Sequence, residues 1–344
     1  MRIIQEAELE NKKVLLRVDF NVAVENGKAK EKFKIEAAKK TLKYLFERGC
    51  KVALVSHFGR PEGKINPEFS LQQIKTDAES ILEAQVMFIG DCLSEEIKDK
   101  LDSLGKNEVL LLENVRFYPG EEKNDEDFAQ KLSSNFEIFI NDAFSVCHRN
   151  QASVTSVTKF LPSFAGLRLR EEIEEMEKIK NNFDQPAVAV IGGAKIETKL
   201  PMIKFFEEKY NNVLVGGKIA NEALDQKIEF GEKVILPLDF TDDRLDIGPE
   251  TISKFEEVIK KSKTIVWNGP MGKFEEEKYA EGTKKIFKAI IESDAYVVVG
   301  GGETLEVLEK NNAMDKVSFV STGGGAMLDY LSGNKMPGIE SLEG

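Results

Sequence analysis

Cysteine is scarce in this chain of 344 residues: Cys50, Cys92 and Cys147 are all there is, and no two are spaced as CxxC. That leaves no disulfide framework and no thiolate metal site, and the three read as reduced thiols in a cytoplasmic protein. Histidine is scarcer, with His57 and His148 alone. Long apolar stretches are missing: the longest runs, 187–191 and 295–299, span five residues, far short of the ~20 a membrane helix needs. The N-terminus carries Glu6, Glu8 and Glu10 without an apolar core, so no secretory leader is expected. Positive charge is in deficit, 48 Lys and Arg against 60 Asp and Glu, a net −12. A surface of that sign repels nucleic acid and anionic lipid, so neither is expected as a partner, and any bound anion needs a local basic cluster.

What is present is an ordinary globular mixture, 41% hydrophobic and 31% charged, of a length that divides into two domains at roughly 150 residues each. Short β-rich runs recur at 14–18, 52–55, 86–89, 109–112, 138–140, 187–191, 213–215, 234–236, 264–267, 295–299 and 317–320. Most are continuously apolar, as strands buried on both faces must be. Charged stretches of helical period lie between them, such as 35–48, 95–104 and 250–262. Strand, helix, strand in repetition predicts α/β architecture: two doubly wound parallel-sheet, Rossmann-like domains joined by a helix and hinge. Leu169, Ile173, Met176 and Ile179 form one apolar stripe on an otherwise charged segment, which predicts a connecting helix at 169–183 between domains at 1–168 and 184–331.

The halves differ in the residues that come after each strand. Residues 1–165 hold only seven of the 26 glycines, and their strand ends carry Asp19, Asn21, His57, Arg60, Asn114, Arg116, Asn141 and Asp142. Ten of the other glycines cluster after strands at 192–193, 216–217, 300–302 and 323–325. Ligands of open α/β sheets bind beyond the carboxyl ends of the strands. The first half therefore offers side chains to its ligand and the second offers backbone.

Arg60, Arg116 and Arg149, with His57 and His148, come after strand-like runs that a parallel sheet would bring to one edge. Guanidinium forks match carboxylate and phosphate oxygens, which predicts a small, multiply anionic ligand, with Asp19 and Asn21 available to a hydroxyl. Taken singly, each arginine reads equally well as a solvated residue or the partner of a nearby Glu. In the second half, Gly192, Gly193, Ala194 and Lys195 lead into a helix on which Lys195 and Lys199 are expected to share a face. Free N–H groups at such a start hold phosphate, and glycine lets the oxygens approach. The runs from Gly300 to Thr304 and Ser321 to Gly325 have the same placement, and Glu303 offers Mg²⁺ an oxygen ligand. Tight packing of the turns alone would also use these glycines. Neither G-x-G-x-x-G nor the P-loop signature occurs.

Taken together, these motifs resemble phosphoglycerate kinase. The stretches that carry the resemblance are Arg17-Val-Asp-Phe-Asn21, Ser56-His-Phe-Gly-Arg-Pro61, Glu113-Asn-Val-Arg-Phe-Tyr-Pro-Gly-Glu121 and Asn141-Asp-Ala-Phe144. The second half adds 192–199, Leu245-Asp-Ile-Gly-Pro249, Trp267-Asn-Gly-Pro-Met-Gly272 and Ser321-Thr-Gly-Gly-Gly-Ala326, all in family order along nearly the whole chain. The resemblance implies Mg²⁺-dependent, reversible phosphoryl transfer between 1,3-bisphosphoglycerate and ADP, giving 3-phosphoglycerate and ATP, by a cytoplasmic, monomeric glycolytic enzyme. It implies 3-phosphoglycerate on the first domain, nucleotide on the second, closure about a hinge, and a tail (332–344) packed back on the first domain.

Carried over by position, Asp19, Asn21, Lys34, His57, Arg60, Arg116 and Arg149 would bind 3-phosphoglycerate. Lys34, Lys195, Lys199, Gly324 and Gly325 would act on the phosphoryl group in transfer. Gly192, Ala194, Lys195, Lys199, Gly216, Gly217, Asn268, Pro270, Glu275, Gly301, Gly302, Glu303 and Thr304 would line the nucleotide site, with Glu303 as the metal ligand.

Four residues depart from the family pattern. Lys34 stands where an arginine is usual, keeping charge but losing the planar fork, which predicts weaker contacts to the transferring group. Glu303 replaces an aspartate, Gln151 a second histidine, and Lys218 a third glycine; the 225–246 segment is short. Two rival readings stay open: a non-catalytic descendant that binds nucleotide or acts as an interaction module, and a kinase with a different small carboxylate or phosphate as acceptor.

Overall fold

The computed structural model describes residues 1–241 and 243–343. Asp242, in the short 225–246 segment, and Gly344, at the end of the expected tail, lie outside the described residues. The chain divides into two compact units, one of Met1–Ile173 plus the tail from Lys335, the other Glu174–Asn334. The division falls within a helix, Leu167–Asn181.

The first unit holds a sheet of β1 (Lys13–Arg17), β2 (Lys51–Val55), β3 (Gln85–Ile89), β4 (Glu108–Leu112), β5 (Ile138–Asn141) and β6 (Ser163–Ala165). Its order is β3-β4-β2-β1-β5-β6, every pair parallel. The continuous apolar runs have the expected cause. Val14, Leu16, Val52, Leu54, Val109 and Leu111 enter one core, while Leu15, Ala53, Val55, Leu110 and Leu112 enter another on the opposite face. Successive strand residues point to opposite faces, so a sheet covered on both sides leaves no position polar. Trimming any of these leucines to Ala would cost about 2–5 kcal/mol.

The second unit repeats the plan with β7 (Ala187–Ile191), β8 (Asn212–Val215), β9 (Val234–Ile235), β10 (Thr264–Asn268), β11 (Tyr296–Val299) and β12 (Phe319–Val320). The order is β9-β8-β7-β10-β11-β12, again all parallel. Helices come after β7, β8, β11 and β12 at Ile196–Lys209, Gly217–Asp225, Gly302–Lys310 and Gly325–Leu331. Among the described residues no helix is long and apolar enough to cross a membrane.

The α/β expectation and its eleven strands hold, with three local differences. The 35–48 helix is two, Lys32–Glu36 and Lys39–Phe46, because Ala38 N–H bonds back to Ile35 and tightens the turn between them. A hairpin at Val24–Glu25 and Lys28–Ala29 turns at Asn26 and Gly27, both with positive φ, as a type I′ turn requires. The edge strand Ser163–Ala165 has no counterpart in the sequence pattern, being three residues long.

Candidate active site

In the first unit the neighbouring carboxyl ends of β4, β2, β1 and β5 each release a polar turn. From β1 come Asp19 and Asn21. Asp19 accepts from Ser145 Oγ (2.5 Å) and Asn21 N (3.0 Å), and Asn21 Oδ1 accepts from Gly59 N (2.8 Å), which ties this turn to the one after β2. Arg116, after β4, donates from Nη1 to Gly59 O (2.8 Å). Burial, together with Arg149 and Arg17, lowers its pKa to about 10. Arg149 donates from Nε to His148 Nε2 (3.3 Å). Lys34 Nζ reaches back from its helix to Asn21 O (3.1 Å) and Glu31 (2.7 Å).

At the centre lies His57, pushed well below its usual pKa by burial and then by Arg17, Arg116, Arg149 and Lys34. Four basic side chains thus act on one small volume of an acidic protein. Glu121, fully buried and raised by that burial against the pull of Arg17 and Arg116, is a buried counter-charge, while Glu31 pairs with Lys34 and Glu122 lies 3.6 Å from Arg116. Such an assembly is unfavourable empty and is relieved by a ligand carrying several negative charges.

In the second unit two adjoining cavities share Glu303 on their walls. One, of about 260 Å³, is lined by Gly193, Ala194, Gly217, Lys218, Asn221, Arg244, Leu245, Pro270, Gly272, Lys273, Glu275 and Glu303. The other, about 300 Å³, is lined by Lys199, Asn268, Gly269, Gly301, Gly302, Glu303, Thr304, Gly324, Gly325 and Leu328. The second is walled by glycines at two helix starts, the form of a phosphate cradle. Gly301 (φ 95°) and Gly324 (φ 45°) cap two helix starts in a conformation that side-chain-bearing residues avoid. Both starts line the cavity, and the first N–H groups of a helix have no partner within it.

Lys199 Nζ rests on Asn268 Oδ1, and burial lowers its pKa to about 8, with Glu303 pulling the other way. Burial and the like charge of Glu275 raise the Glu303 carboxyl. A single carboxylate beside a phosphate cradle fits Mg²⁺, which takes one or two protein oxygens and completes its shell with phosphate and water. Among the described residues no cluster of three His, Cys, Asp or Glu could hold a metal by itself.

Three of the expected nucleotide-site residues, Lys195, Gly192 and Gly216, line neither cavity. Lys195 is exposed in extended backbone just ahead of the helix, which begins at Ile196, so it shares no helix face with Lys199 and lines neither cavity. Gly192 and Gly216 lie beneath the cavities, where a Cβ would meet Pro270 O at 1.9 Å and Met271 Sδ at 2.6 Å. Thr304 lines the cradle but is fully buried and accepts from Gly269 N (2.6 Å), fixing the turn that carries Asn268. Arg60 is exposed.

Other groups lie within the motif stretches, where no site role falls to them from the sequence. Trp267 donates its indole N–H to Gly269 O (3.0 Å) and steadies the same turn. Asp246 accepts from Gly282 N (2.7 Å) and Ile247 N (2.9 Å) beneath Gly272. Arg17 is wholly buried beside His57.

Paired parallel-sheet units, one with a cationic pocket and one with a glycine-built phosphate cradle, define a nucleotide-dependent phosphotransferase acting on a small anionic acceptor. The phosphoglycerate kinase family model matches residues 4–240 and 226–334. The phosphoglycerate kinase of Moorella thermoacetica is 37% identical over 98% of both chains, and that of Borreliella burgdorferi strain B31 38% identical over 96% of both.

Solved structures agree. Phosphoglycerate kinase from Pyrococcus horikoshii superposes with a TM-score of 0.89 at 29% identity, covering 100% of this chain and 98% of the other. That of Coxiella burnetii gives 0.81 at 32% identity, covering 98% of both. The chain belongs to the phosphoglycerate kinase family, glycolytic phosphotransferases that use ATP and ADP with a carboxyl group as acceptor.

Proposed function

We propose that the cationic pocket takes 3-phosphoglycerate or 1,3-bisphosphoglycerate, that the glycine-lined cavities take ADP or ATP, and that the family reaction runs between them. The observation that carries this reading is the convergence of Arg17, Lys34, Arg116 and Arg149 around His57, which calls for a ligand with both a phosphate and a second anionic group. Asn21, His57, Arg60, Arg116 and Arg149 bind that ligand, and Asp19 fixes the turn that carries Asn21. Ala194, Gly217, Pro270 and Glu275 flank the base and ribose, with Gly192 and Gly216 holding the turns beneath. Lys199, Gly301, Gly302, Gly324 and Gly325 hold the phosphates, and Asn268 and Thr304 hold the cradle's shape. Lys195, on its extended approach to the helix, reaches the terminal phosphate from outside.

In the ATP-forming direction an ADP β-phosphate oxygen attacks the acyl phosphorus, and the bond to the carboxyl oxygen breaks. Nucleophile and leaving group are both already anions, so no proton has to move and no general base is needed. Catalysis then consists of positioning and charge neutralisation by Lys34, Lys199 and the N–H groups at Gly324 and Gly325. A Mg²⁺ held by Glu303 and the phosphates would supply the remaining neutralisation.

The first unit is the acid-binding domain, the tail belongs to it, and the second unit is the nucleotide domain. Substrates bound on separate domains require closure about the connecting helix, which also keeps water from the acyl phosphate. The enzyme works as a cytoplasmic monomer. A coupled assay of ATP formation from 1,3-bisphosphoglycerate and ADP, with and without Mg²⁺, tests the reading. Turnover that needs all three supports it, and nucleotide binding without turnover refutes it.

A further inference from the structure

Arg17 is fully buried, and each of the three nitrogens of its guanidinium has a hydrogen-bond partner. Nε donates to Ser153 Oγ (3.0 Å), Nη1 to the Val18 carbonyl, and Nη2 to Nδ1 of His57 (3.2 Å). Ser153 is itself clamped: its hydroxyl donates to Glu121 Oε1 (2.7 Å) and its backbone N–H to Glu121 Oε2 (2.9 Å). A guanidinium has donors and no acceptor, so the nitrogen it faces must offer a lone pair. Nδ1 of His57 is therefore the bare nitrogen, and the ring's single proton sits on Nε2. A second proton would have to enter on Nδ1, against the Arg17 donor.

We propose that Glu121, Ser153 and Arg17 form a buried positioning chain that fixes His57 as the neutral Nε2–H tautomer, so that it meets the acid substrate as a directed hydrogen-bond donor and not as a fifth cation. The cations facing His57 act in the same sense: Arg17 from β1, Arg116 from the turn after β4, Arg149 from the turn after β5 and Lys34 from its helix all disfavour imidazolium.

The arrangement has a chemical use. Histidine normally changes charge between about pH 5 and 8. An acid pocket built around a titrating His would change its affinity across the working range, whereas one built around a locked neutral His keeps a constant charge and a constant donor direction. Glu121 supplies the negative charge that lets Arg17 stay buried, and Ser153 transmits its position, since the serine hydroxyl can accept from Arg17 while donating to Glu121.

The proposal rests on the acid substrate binding in this pocket, yet its first test does not use activity. With only two histidines, long-range ¹H–¹⁵N spectra of ¹⁵N-histidine-labelled protein resolve both rings, and His57→Gln assigns them. In the wild type, the His57 signals should show a protonated Nε2 and a bare Nδ1, unchanged from about pH 5 to 8. In Ser153→Ala, His57 should begin to titrate in that range or lose its single tautomer, and KM for 3-phosphoglycerate should rise about tenfold while KM for ATP moves less than about twofold. Ser153→Thr, which keeps the hydroxyl, should restore the wild-type spectrum.

Wild-type His57 that titrates in this window, or that carries its proton on Nδ1, overturns the proposal even if Ser153→Ala fails to fold. A raised KM in Ser153→Ala with unchanged His57 signals overturns it as well. A locked His57 in an enzyme that does not turn over 1,3-bisphosphoglycerate would sink the functional reading and leave the tautomer assignment intact.

Discussion

The ammonium of Lys34 and the carboxylate of Glu31 form an ion pair at 2.7 Å, and the same Nζ lies 3.1 Å from the Asn21 carbonyl oxygen. Glu31 uses its other oxygen on Ala23 N (2.9 Å), so the pair also ties down the segment after β1. A single ammonium shared between Glu31 and Asn21 has little left for a ligand. A guanidinium could keep Glu31 on one nitrogen and present the others. Lys34→Arg is therefore expected to raise kcat roughly threefold or more, with KM for ATP changed less than about twofold, in steady-state assays. Unchanged or lower turnover would count against a charge shortfall at this position.

Lys199 should give nucleotide binding a basic limb. Its pKa in the free protein is lowered to about 8, chiefly by burial, and phosphate prefers the charged form. As pH rises through 8 the free enzyme loses that proton, and ADP dissociation constants measured by calorimetry should climb by up to about tenfold per pH unit. In Lys199→Arg the limb should vanish, because guanidinium stays charged.

Asp142 predicts a stability effect of unusual sign. It is buried at the end of β5, accepts from Arg168 N (2.8 Å) and Leu169 N (3.1 Å) at the start of the connecting helix, and burial raises its pKa to about 6. A raised carboxyl binds its proton more readily in the folded state. Its contribution is thus fully present below the unfolded value near 4 and is lost as pH rises through about 6. Asp142→Asn keeps an acceptor for both N–H groups and should raise stability at pH 7.5 by up to about 3 kcal/mol, the gain shrinking toward zero by about pH 4. Chemical denaturation at the two pH values checks it.

Two glycines of the nucleotide half should respond oppositely to alanine. At Gly192 a Cβ would strike Pro270 O at 1.9 Å, backbone that cannot step aside, while at Gly302 nothing lies within 4 Å. Gly192→Ala should lose more than about 2 kcal/mol of stability. Gly302→Ala should fold with a Tm within a few degrees of wild type, yet bind ADP more weakly, because its methyl enters the phosphate cradle. Calorimetric melting and ADP titration of both variants separate the two effects.

Burial on both faces makes the sheets legible in the sequence, since 14–16, 52–55 and 109–112 have to be apolar without a break. The hairpin around Asn26 and Gly27 escapes such a reading because its strands are two residues long and carry no apolar alternation. At the site, His57, Arg116 and Lys199 stand out because their residue types announce anion chemistry at strand ends. Arg17 lies inside a strand, where a lone arginine suggests a solvated edge, and its partner Ser153 is 136 residues away. The helix face expected for Lys195 fails because sequence spacing does not say where a helix begins, and Lys195 keeps an extended backbone one residue before it.

The most direct trial of phosphoryl transfer is ATP formation from 1,3-bisphosphoglycerate and ADP, measured side by side for the wild type and Lys199→Ala. Rapid Mg²⁺-dependent turnover in the wild type, falling about a hundredfold or more in the variant with an unchanged Tm, is the expected result. A wild type that binds ADP but forms no ATP, or a variant that turns over as fast as its parent, would contradict it.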